Sequence, residues 1–199
     1  ITRDGDWILY GSNDYSKLPT GEWEQCPQNR RAAISPIRGQ GLLIFEGDNV
    51  IREMIEIVFP VLHGENGEDG SVQGLLQLAG IPYVGPHVSA SAVAMDKTLT
   101  KLVADNAGVA QAAWQLVRSG EVSNHMQKVV LRLEEKFQYP MFVKPAGTGS
   151  SVGVSKASDR ESLMRALSHA AKYDTKILVE EFVHGREVEV AVMGNDNPV

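Results

Sequence analysis

The sequence predicts an α/β protein in two parts. Residues 55–85 follow the order strand, helix, strand: the apolar run "IEIVFPVLHG", a helical segment at 71–79, and the short apolar "IPYVG". This order is typical of a parallel sheet. Further along, helices and strands alternate, and "KILVEEFV" and "REVEVAVMG" predict an antiparallel pair. We therefore expect an incomplete N-terminal parallel α/β domain at 1–94 and a second domain with an antiparallel sheet at 95–199.

Local signals place the elements of the first part. "LLIFEGDNVI" carries Gly47 and Asp48 between β-rich residues, which predicts a hairpin turn. "IEIVFPVLHG" is almost continuously apolar, as in a strand that is buried on both faces. Gly80 follows the helical segment and suits the residue after its last turn.

The second part begins with a helical region. Ser89 and then Asp96 are the candidate caps, and Gly108 ends the region. "AAWQLV" predicts a strand, and apolar residues at helical spacing predict a helix over 123–137. In the helical region that Asp96 precedes, the apolar face is formed by Leu99, Leu102 and Val103. In the last predicted helix, Ser158 and Glu161 form a capping-box pattern.

Composition excludes several classes of protein. The chain has 199 residues, 43% of them hydrophobic, and a formal net charge of −6, so nothing favours a nucleic-acid partner. No apolar run approaches the length of a membrane span. Cys26 is the only cysteine, so no internal disulfide forms. The sequence starts without Met or a signal peptide and stops just past a strand-like run; we expect a fragment or the ordered part of a longer chain.

The stretch "YPMFVKPAGTGSSVGVSK", residues 139–156, is the clearest candidate site. A strand delivers Lys144 to a loop that contains three glycines, where backbone N–H groups can approach a phosphate. Ser150 and Ser151 add hydroxyl donors, and Lys156 is interpreted as a surface lysine. In the Walker pattern the lysine follows the last glycine at the start of a helix, whereas here Lys144 precedes the glycines. From this stretch alone, a phosphate site and an ordinary glycine-rich hairpin are equally good interpretations.

Other polar residues form weaker candidates. His63 ends a predicted strand and Glu68 precedes a helix, where ligands gather in open α/β sheets. For this loop alone, a polar loop with helix-capping acids is the favoured interpretation. Lys97 lies near a helix start and would be of interest if an anion binds nearby, but on its own a solvated surface lysine is the favoured interpretation. The acids at the last two strands could bind ribose hydroxyls or face solvent; these are Glu180, Glu181 and Glu187.

Four blocks together carry a family resemblance. They are "FPVLHGENGEDGSVQGLLQLAGIPYVG", "AMDKTLTKLVADNAGV", "YPMFVKPAGTGSSVGVSK" and "KILVEEFVHGREVEVAVMGNDNP". In this order and spacing the sequence resembles the D-alanine–D-alanine ligases of the ATP-grasp superfamily, from about residue 55 to the end. The resemblance implies an ATP-dependent carboxylate–amine ligase of the bacterial cytoplasm. Such an enzyme phosphorylates one D-alanine and joins it to a second, making D-alanyl-D-alanine for peptidoglycan.

The resemblance also implies roles for individual residues. Lys97 and Lys144 are similar to the lysines that contact phosphate, and Ser150 and Ser151 to the mobile phosphate loop. Ser150 also matches a residue that positions the first D-alanine. The resemblance places the adenine hinge at Glu180, Glu181 and Val183, and it makes Glu187 the ribose ligand. His63 is similar to the histidine near the reacting carboxylate, and Glu68 to a residue of the network that supports that site.

Two parts of the family pattern are missing from the sequence as given. One is an early segment with a glutamate that holds the first D-alanine. The other is the C-terminal part, which carries the Mg²⁺ ligands and the residues that choose the second substrate. We therefore expect no metal ligands in this chain and no activity from it alone. Ligases that form D-alanyl-D-lactate or D-alanyl-D-serine, and a non-catalytic nucleotide-binding module, are the alternatives. The resemblance further implies a homodimer without membrane or nucleic-acid partners.

Overall fold

The computed structural model describes residues 1–149, 151–195 and 197–199. The chain forms two compact units, Ile1–Thr100 and Lys101–Val199. Both combine helices with antiparallel sheets, which confirms the mixed α/β class. The domain assignment 1–94 and 95–199 stays a proposal.

The first unit is built on a four-stranded antiparallel sheet in the order β1-β2-β3-β4. The predicted hairpin at Gly47 and Asp48 is confirmed, since β3 and β4 flank it and Gly47 has φ +58°. The α1 helix packs Leu76 and Ala79 against the sheet residue Ile34. The elements are β1 (Ile8–Leu9), 3-10 helices at Tyr15–Lys17 and Glu22–Gln25, β2 (Arg30–Ile34), β3 (Leu42–Glu46), β4 (Asn49–Glu53), α1 (Ser71–Ala79), α2 (Val88–Met95) and α3 (Lys97–Asn106), the last of which continues into the second unit.

The parallel pairing predicted for this unit is limited to one isolated bridge between Val58 and Tyr83. Residues 55–64 form no longer strand, and Phe59 and Val61 are exposed, so the prediction of a strand buried on both faces was wrong. Pro60, two residues after the bridge, has no backbone N–H to donate to a neighbouring strand. In addition, an apolar run in the sequence does not reveal whether other residues will cover that run in the fold.

The helix signals were partly confirmed. The α1 helix ends at Gly80, which has φ +70° and donates to the carbonyl of Leu76 as well as that of Gln77. Asp96 Oδ1 accepts from the N–H groups of Thr98 (2.9 Å) and Leu99 (3.2 Å), so Asp96 caps α3 as predicted. Ser89 is no cap, because it lies inside α2.

The second unit contains a four-stranded antiparallel sheet in the order β5-β8-β6-β7, with two helices on one face. The sheet side chains on that face are fully buried against α4 and α5, and they include Val117, Met141, Val143, Ile177 and Val179. The elements are β5 (Trp114–Arg118), α4 (Ser119–Lys136), β6 (Met141–Pro145), β7 (Ser155–Ala157), α5 (Arg160–Ala170) and β8 (Lys176–Glu181).

The predicted pair of final strands was wrong. "KILVEEFV" supplies β8, but residues 186–194 form neither helix nor strand. Both edges of β8 are already hydrogen-bonded, one to β5 and the other to β6. The following segment therefore has no free edge of β8 to join, although its alternating sequence favours a strand.

Two further details differ from the sequence prediction. The capping box of α5 is formed by Asp159 and Ser162, not by Ser158 and Glu161; Asp159 Oδ1 accepts from Ser162 N at 2.7 Å. Aspartate caps a helix as well as serine does, so two adjacent candidates compete. The α4 helix starts at Ser119, four residues before the predicted start. No described helix has both the length and the apolar character needed to cross a membrane.

Candidate functional site

The face of the second sheet opposite α4 and α5, called the open face below, carries two of the charged residues that the sequence singled out, Lys144 and Glu180. Side chains alternate between the faces of a strand, so Phe142 and Lys144 of β6 point away from the buried Met141 and Val143. Phe142 is directly opposite Glu180 of β8. The fold therefore brings Lys144 and Glu180 to one face, opposite the helices.

Glu180 is held between two lysines. Its Oε1 lies 2.6 Å from Lys101 Nζ, and its Oε2 forms an ion pair with Lys144 Nζ. Lys101 Nζ also donates to the carbonyl of Ala112 at 3.3 Å. Glu180 is only 6% exposed. A buried carboxylate is costly unless it is paired, and here each of its oxygens has a cationic partner.

The two lysines decide the protonation of Glu180. Burial raises the pKa of its carboxyl, but the hydrogen bonds and charges of Lys101 and Lys144 outweigh burial and hold the pKa below the usual range. The carboxylate is therefore ionised at neutral pH. The cluster of one anion and two cations has a net charge of +1, which suits an anionic ligand.

This lowered pKa predicts acid lability. A depressed folded-state pKa contributes stability that is present above the ordinary glutamate value and is lost as the pH falls through the folded-state value. The Glu180→Gln variant lacks this contribution, so its deficit in unfolding free energy should shrink as the pH is lowered from neutral to below the ordinary glutamate pKa. Urea unfolding across that range measures both proteins, and a deficit that stays constant would contradict the assignment.

Aromatic rings extend the open face. The centroids of the Phe142 and Phe182 rings are 5.9 Å apart, and Lys156 Nζ lies 4.2 Å from the Phe182 centroid. His184 meets Phe182 edge-on at 5.3 Å. Flat rings beside cations can stack against a nucleotide base. Lys156 is exposed, as expected, but it contacts this aromatic group.

The glycine-rich loop, residues 146–154, joins β6 to β7. Its hairpin character is therefore confirmed, while its phosphate role stays a prediction. Gly147 N donates to Asp174 Oδ2 at 2.6 Å, and Thr148 Oγ1 donates to the carbonyl of Val152 at 2.9 Å. Ser151 has φ +59°. The predicted substrate residue Ser150 lies outside the described residues.

Gly153 fixes the far end of this loop. It has φ +73°, and a Cβ there would lie 2.6 Å from Pro145 Cγ and 2.8 Å from Tyr173 Cδ2. Only glycine fits without moving one of these rings. The loop is thus anchored at both ends, by Asp174 near its start and by this close approach near its end.

The other predicted residues of this unit lie around the end of β8. Glu181 points to the opposite side from Glu180, and its Oε1 accepts from Ala113 N at 2.7 Å. The sequence did not reveal this backbone contact, which ties the ends of β5 and β8 together. Val183 and Glu187 follow β8 in an exposed stretch without helix or strand. Their roles in binding adenine and ribose stay predictions.

The first unit holds the remaining predicted residues. Glu68 accepts a hydrogen bond from Gly64 N, within the loop that starts at His63. His63 lines a cavity of about 580 Å³, together with Trp7 and Asn66. Lys97 is the first residue of α3. His63 and Glu68 thus share one loop before α1, as the sequence predicted.

Sequence reasoning missed several residues of this site. Lys101 gave no signal beyond its place one helical turn after Lys97, and nothing marked Asp174 as the anchor of the loop. Phe142 and Phe182 were hidden among apolar strand residues. A metal site was not expected in this chain; the described residues contain no group of three or more His, Cys, Asp or Glu that could hold a metal ion.

Two family models match the chain. Residues 1–86 match the model described as the D-ala D-ala ligase N-terminus, and residues 103–199 match the D-ala D-ala ligase C-terminus. Curated relatives named D-alanine–D-alanine ligase are 48% identical in Acetivibrio thermocellus and 46% identical in Ruminiclostridium cellulolyticum. In both alignments the whole of this chain is covered, but only 56% of the first relative's length and 55% of the second's. The chain therefore spans about half the length of these relatives.

Solved structures agree with the sequence matches. The VanG D-Ala:D-Ser ligase from Enterococcus faecalis has a TM-score of 0.85 at 34% identity, and 100% of this chain covers 56% of that structure. The D-alanine–D-alanine ligase from Coxiella burnetii has a TM-score of 0.79 at 31% identity, with 98% and 56% coverage. Both share the ATP-grasp fold. Since the two models together leave only residues 87–102 unmatched, this chain belongs to the D-alanine–D-alanine ligase family.

Proposed function

We propose that the protein that carries this chain is an ATP-dependent D-alanine–D-alanine ligase of the bacterial cytoplasm, supplying D-alanyl-D-alanine to peptidoglycan synthesis. The observation that carries the proposal is the Lys101–Glu180–Lys144 cluster, which lies on the open face of the sheet with a net positive charge. A glycine-rich loop begins just past Lys144. A lysine beside a glycine-rich loop is suited to binding a nucleotide phosphate.

The reaction takes place in two balanced steps. A carboxylate oxygen of the first D-alanine attacks the γ-phosphorus of ATP, and ADP leaves. The amine of the second D-alanine then attacks the carbonyl carbon of the acyl phosphate, an amide forms, and phosphate leaves while the amine loses its proton. The enzyme promotes phosphoryl transfer mainly by positioning the reactants and by stabilising the negative charge on the phosphoryl group.

Residues of the second unit serve the nucleotide in this proposal. Lys144 neutralises phosphate charge, and the loop with Ser151 covers the phosphates and excludes water from the acyl phosphate. Glu180, Glu181 and Val183 form the hinge that binds the edge of the adenine, beside the Phe142 and Phe182 rings. Glu187 binds the ribose.

Residues of the first unit and of the loop serve the amino acid. His63 lies at the reacting carboxylate, Glu68 holds the loop of His63 through Gly64 N, and Ser150 positions the first D-alanine. Lys97 supplies a second cation for the phosphates. Mg²⁺ would accompany ATP, but the described residues do not fit a metal site, so no residue of this chain is assigned to it. A homodimer without nucleic-acid partners completes the proposal.

The second substrate is the main point to test, because one structural neighbour is a D-Ala:D-Ser ligase. We expect the full-length protein to release ADP and phosphate when given ATP and D-alanine, and to form D-alanyl-D-alanine. Mass spectrometry of products with D-alanine alone, or with added D-serine or D-lactate, measures the preference.

The outcomes separate the alternatives. A predominant mixed product would identify a ligase with a different second substrate. Nucleotide binding without any turnover by the full-length protein would favour the non-catalytic module. Residues 1–199 alone serve as the comparison and are expected not to turn over.

A further inference from the structure

The second lysine of the cluster, Lys101, has a role that differs from that of Lys144. Both bind Glu180, but on different oxygens: Lys101 on Oε1 and Lys144 on Oε2. Lys101 comes from α3, whereas Lys144 comes from β6. One carboxylate therefore joins a helix to the open face of the sheet.

Lys101 is the more firmly held of the two. Its ammonium bonds Ala112 O as well as Glu180, and its own carbonyl accepts from Gln111 Nε2 at 2.8 Å. Its side chain is 15% exposed, against 29% for Lys144. Lys144 lies one residue before the end of β6, next to the glycine-rich loop. Lys144 is therefore the lysine that can turn towards a ligand at the loop.

The charges explain why two lysines are needed. A single lysine on Glu180 would make a neutral pair, whose attraction for a phosphate is weak. A second lysine leaves one positive charge in surplus. If Lys144 were the only partner, drawing it towards a phosphate would also leave a nearly buried carboxylate without its counter-ion, which is strongly unfavourable.

We propose that Lys101 is a positioning residue for nucleotide binding: it keeps Glu180 neutralised, so that the charge of Lys144 is available to the phosphates. The inference rests on the proposed function, because it requires a nucleotide on this face. Lys101 itself touches no phosphate in this account; it acts through Glu180. The competing explanation is that Lys101 only fastens α3 to the sheet.

The test compares nucleotide affinity across pH in the full-length protein. The charged groups that act on Glu180 are Lys101 from α3 and Lys144 from β6; β5 places the uncharged Trp114 opposite it. We expect Lys101→Met to weaken ADP binding about tenfold or more, and Lys101→Arg, which keeps the charge, to remain within about threefold of the unchanged protein. Isothermal titration calorimetry measures both.

The protonation of Glu180 distinguishes an electrostatic role of Lys101 from a purely structural one. In Lys101→Met, Glu180 should take up a proton when Lys144 turns to the phosphate. ADP affinity should therefore rise from about pH 8 to pH 6 more steeply than in the unchanged protein, a comparison that removes the titration of ADP itself. Calorimetry in buffers of different ionisation enthalpy should show the extra proton. The extra uptake should vanish in Lys101→Met/Glu180→Gln, which has no carboxylate to protonate.

Each outcome is decisive. Affinity and proton uptake that are unchanged in Lys101→Met would overturn the inference, as would equal losses in Lys101→Met and Lys101→Arg without any pH dependence. Lys101→Gln replaces Lys101→Met if the latter fails to give a cooperative thermal transition. If the unchanged protein binds no ADP at all, the proposed function fails and the inference with it. If it binds ADP and only the Lys101 results fail, the proposed function stands.

Discussion

Lys144→Ala should weaken ATP binding by roughly 10- to 100-fold, since a charge-assisted contact with phosphate contributes about 1.5–3 kcal/mol. Lys144 projects from the open face of the sheet beside the glycine-rich loop. The variant should still fold, because Glu180 keeps Lys101 as a partner at 2.6 Å. Calorimetric titration with ATP measures the effect, and thermal unfolding checks the fold.

Lys128→Ala is the matched control. Lys128 is exposed on α4, and α4 packs against the opposite face of the sheet. Its replacement removes the same charge without touching the proposed site, so ATP affinity should be unchanged. Lys156 is a poor control because it lies over the Phe182 ring. Equal affinities in Lys144→Ala and Lys128→Ala would refute the role of Lys144.

Gly153→Ala should destabilise the second unit by roughly 2–5 kcal/mol and lower the proposed ligase activity. A non-glycine residue at φ +73° costs about 1–2 kcal/mol, and forcing a methyl group into a filled space costs about 1–3 kcal/mol. The new Cβ would displace the ring of Pro145 or of Tyr173. Since Pro145 follows Lys144 directly, the change disturbs both the loop and the lysine. Urea unfolding measures stability, and product formation measures activity.

Gly120→Ala provides the comparison for this prediction. Gly120 lies in the first turn of α4, and a Cβ there would meet no atom within 4 Å. Alanine has the higher helix propensity, so this variant should be neutral or more stable by up to about 1 kcal/mol. A Gly153→Ala protein as stable as Gly120→Ala would show that the close approach does not constrain the loop.

Local signals in the sequence predicted several turns and helix ends correctly. The turn at Gly47, the end of α1 at Gly80 and the cap at Asp96 were all readable, because each depends on one residue and its immediate neighbours. The run at 55–64 and the segment at 186–194 were misread, because apolar or alternating residues do not show which sheet edges are free or what covers a strand.

The site was predictable only in part for the same reason. The position of Lys144 between a strand and the glycine-rich loop, and the adjacent acids at the end of a later strand, indicated Lys144 and Glu180 individually. Their pairing depends on the strand order β5-β8-β6-β7, which brings together residues 36 positions apart in sequence. The partnership of Lys101 with Glu180 spans a longer separation and has no local signal, so it required the three-dimensional structure.

An isotope experiment tests the central claim, that this protein activates a D-amino acid carboxylate with ATP. D-Alanine labelled with ¹⁸O in its carboxylate is converted by the full-length protein, and the released phosphate is analysed by mass spectrometry. Attack of the carboxylate on ATP predicts one ¹⁸O atom in each phosphate, because the bridging oxygen leaves with phosphorus when the amine attacks. Dipeptide formation with unlabelled phosphate would contradict the account.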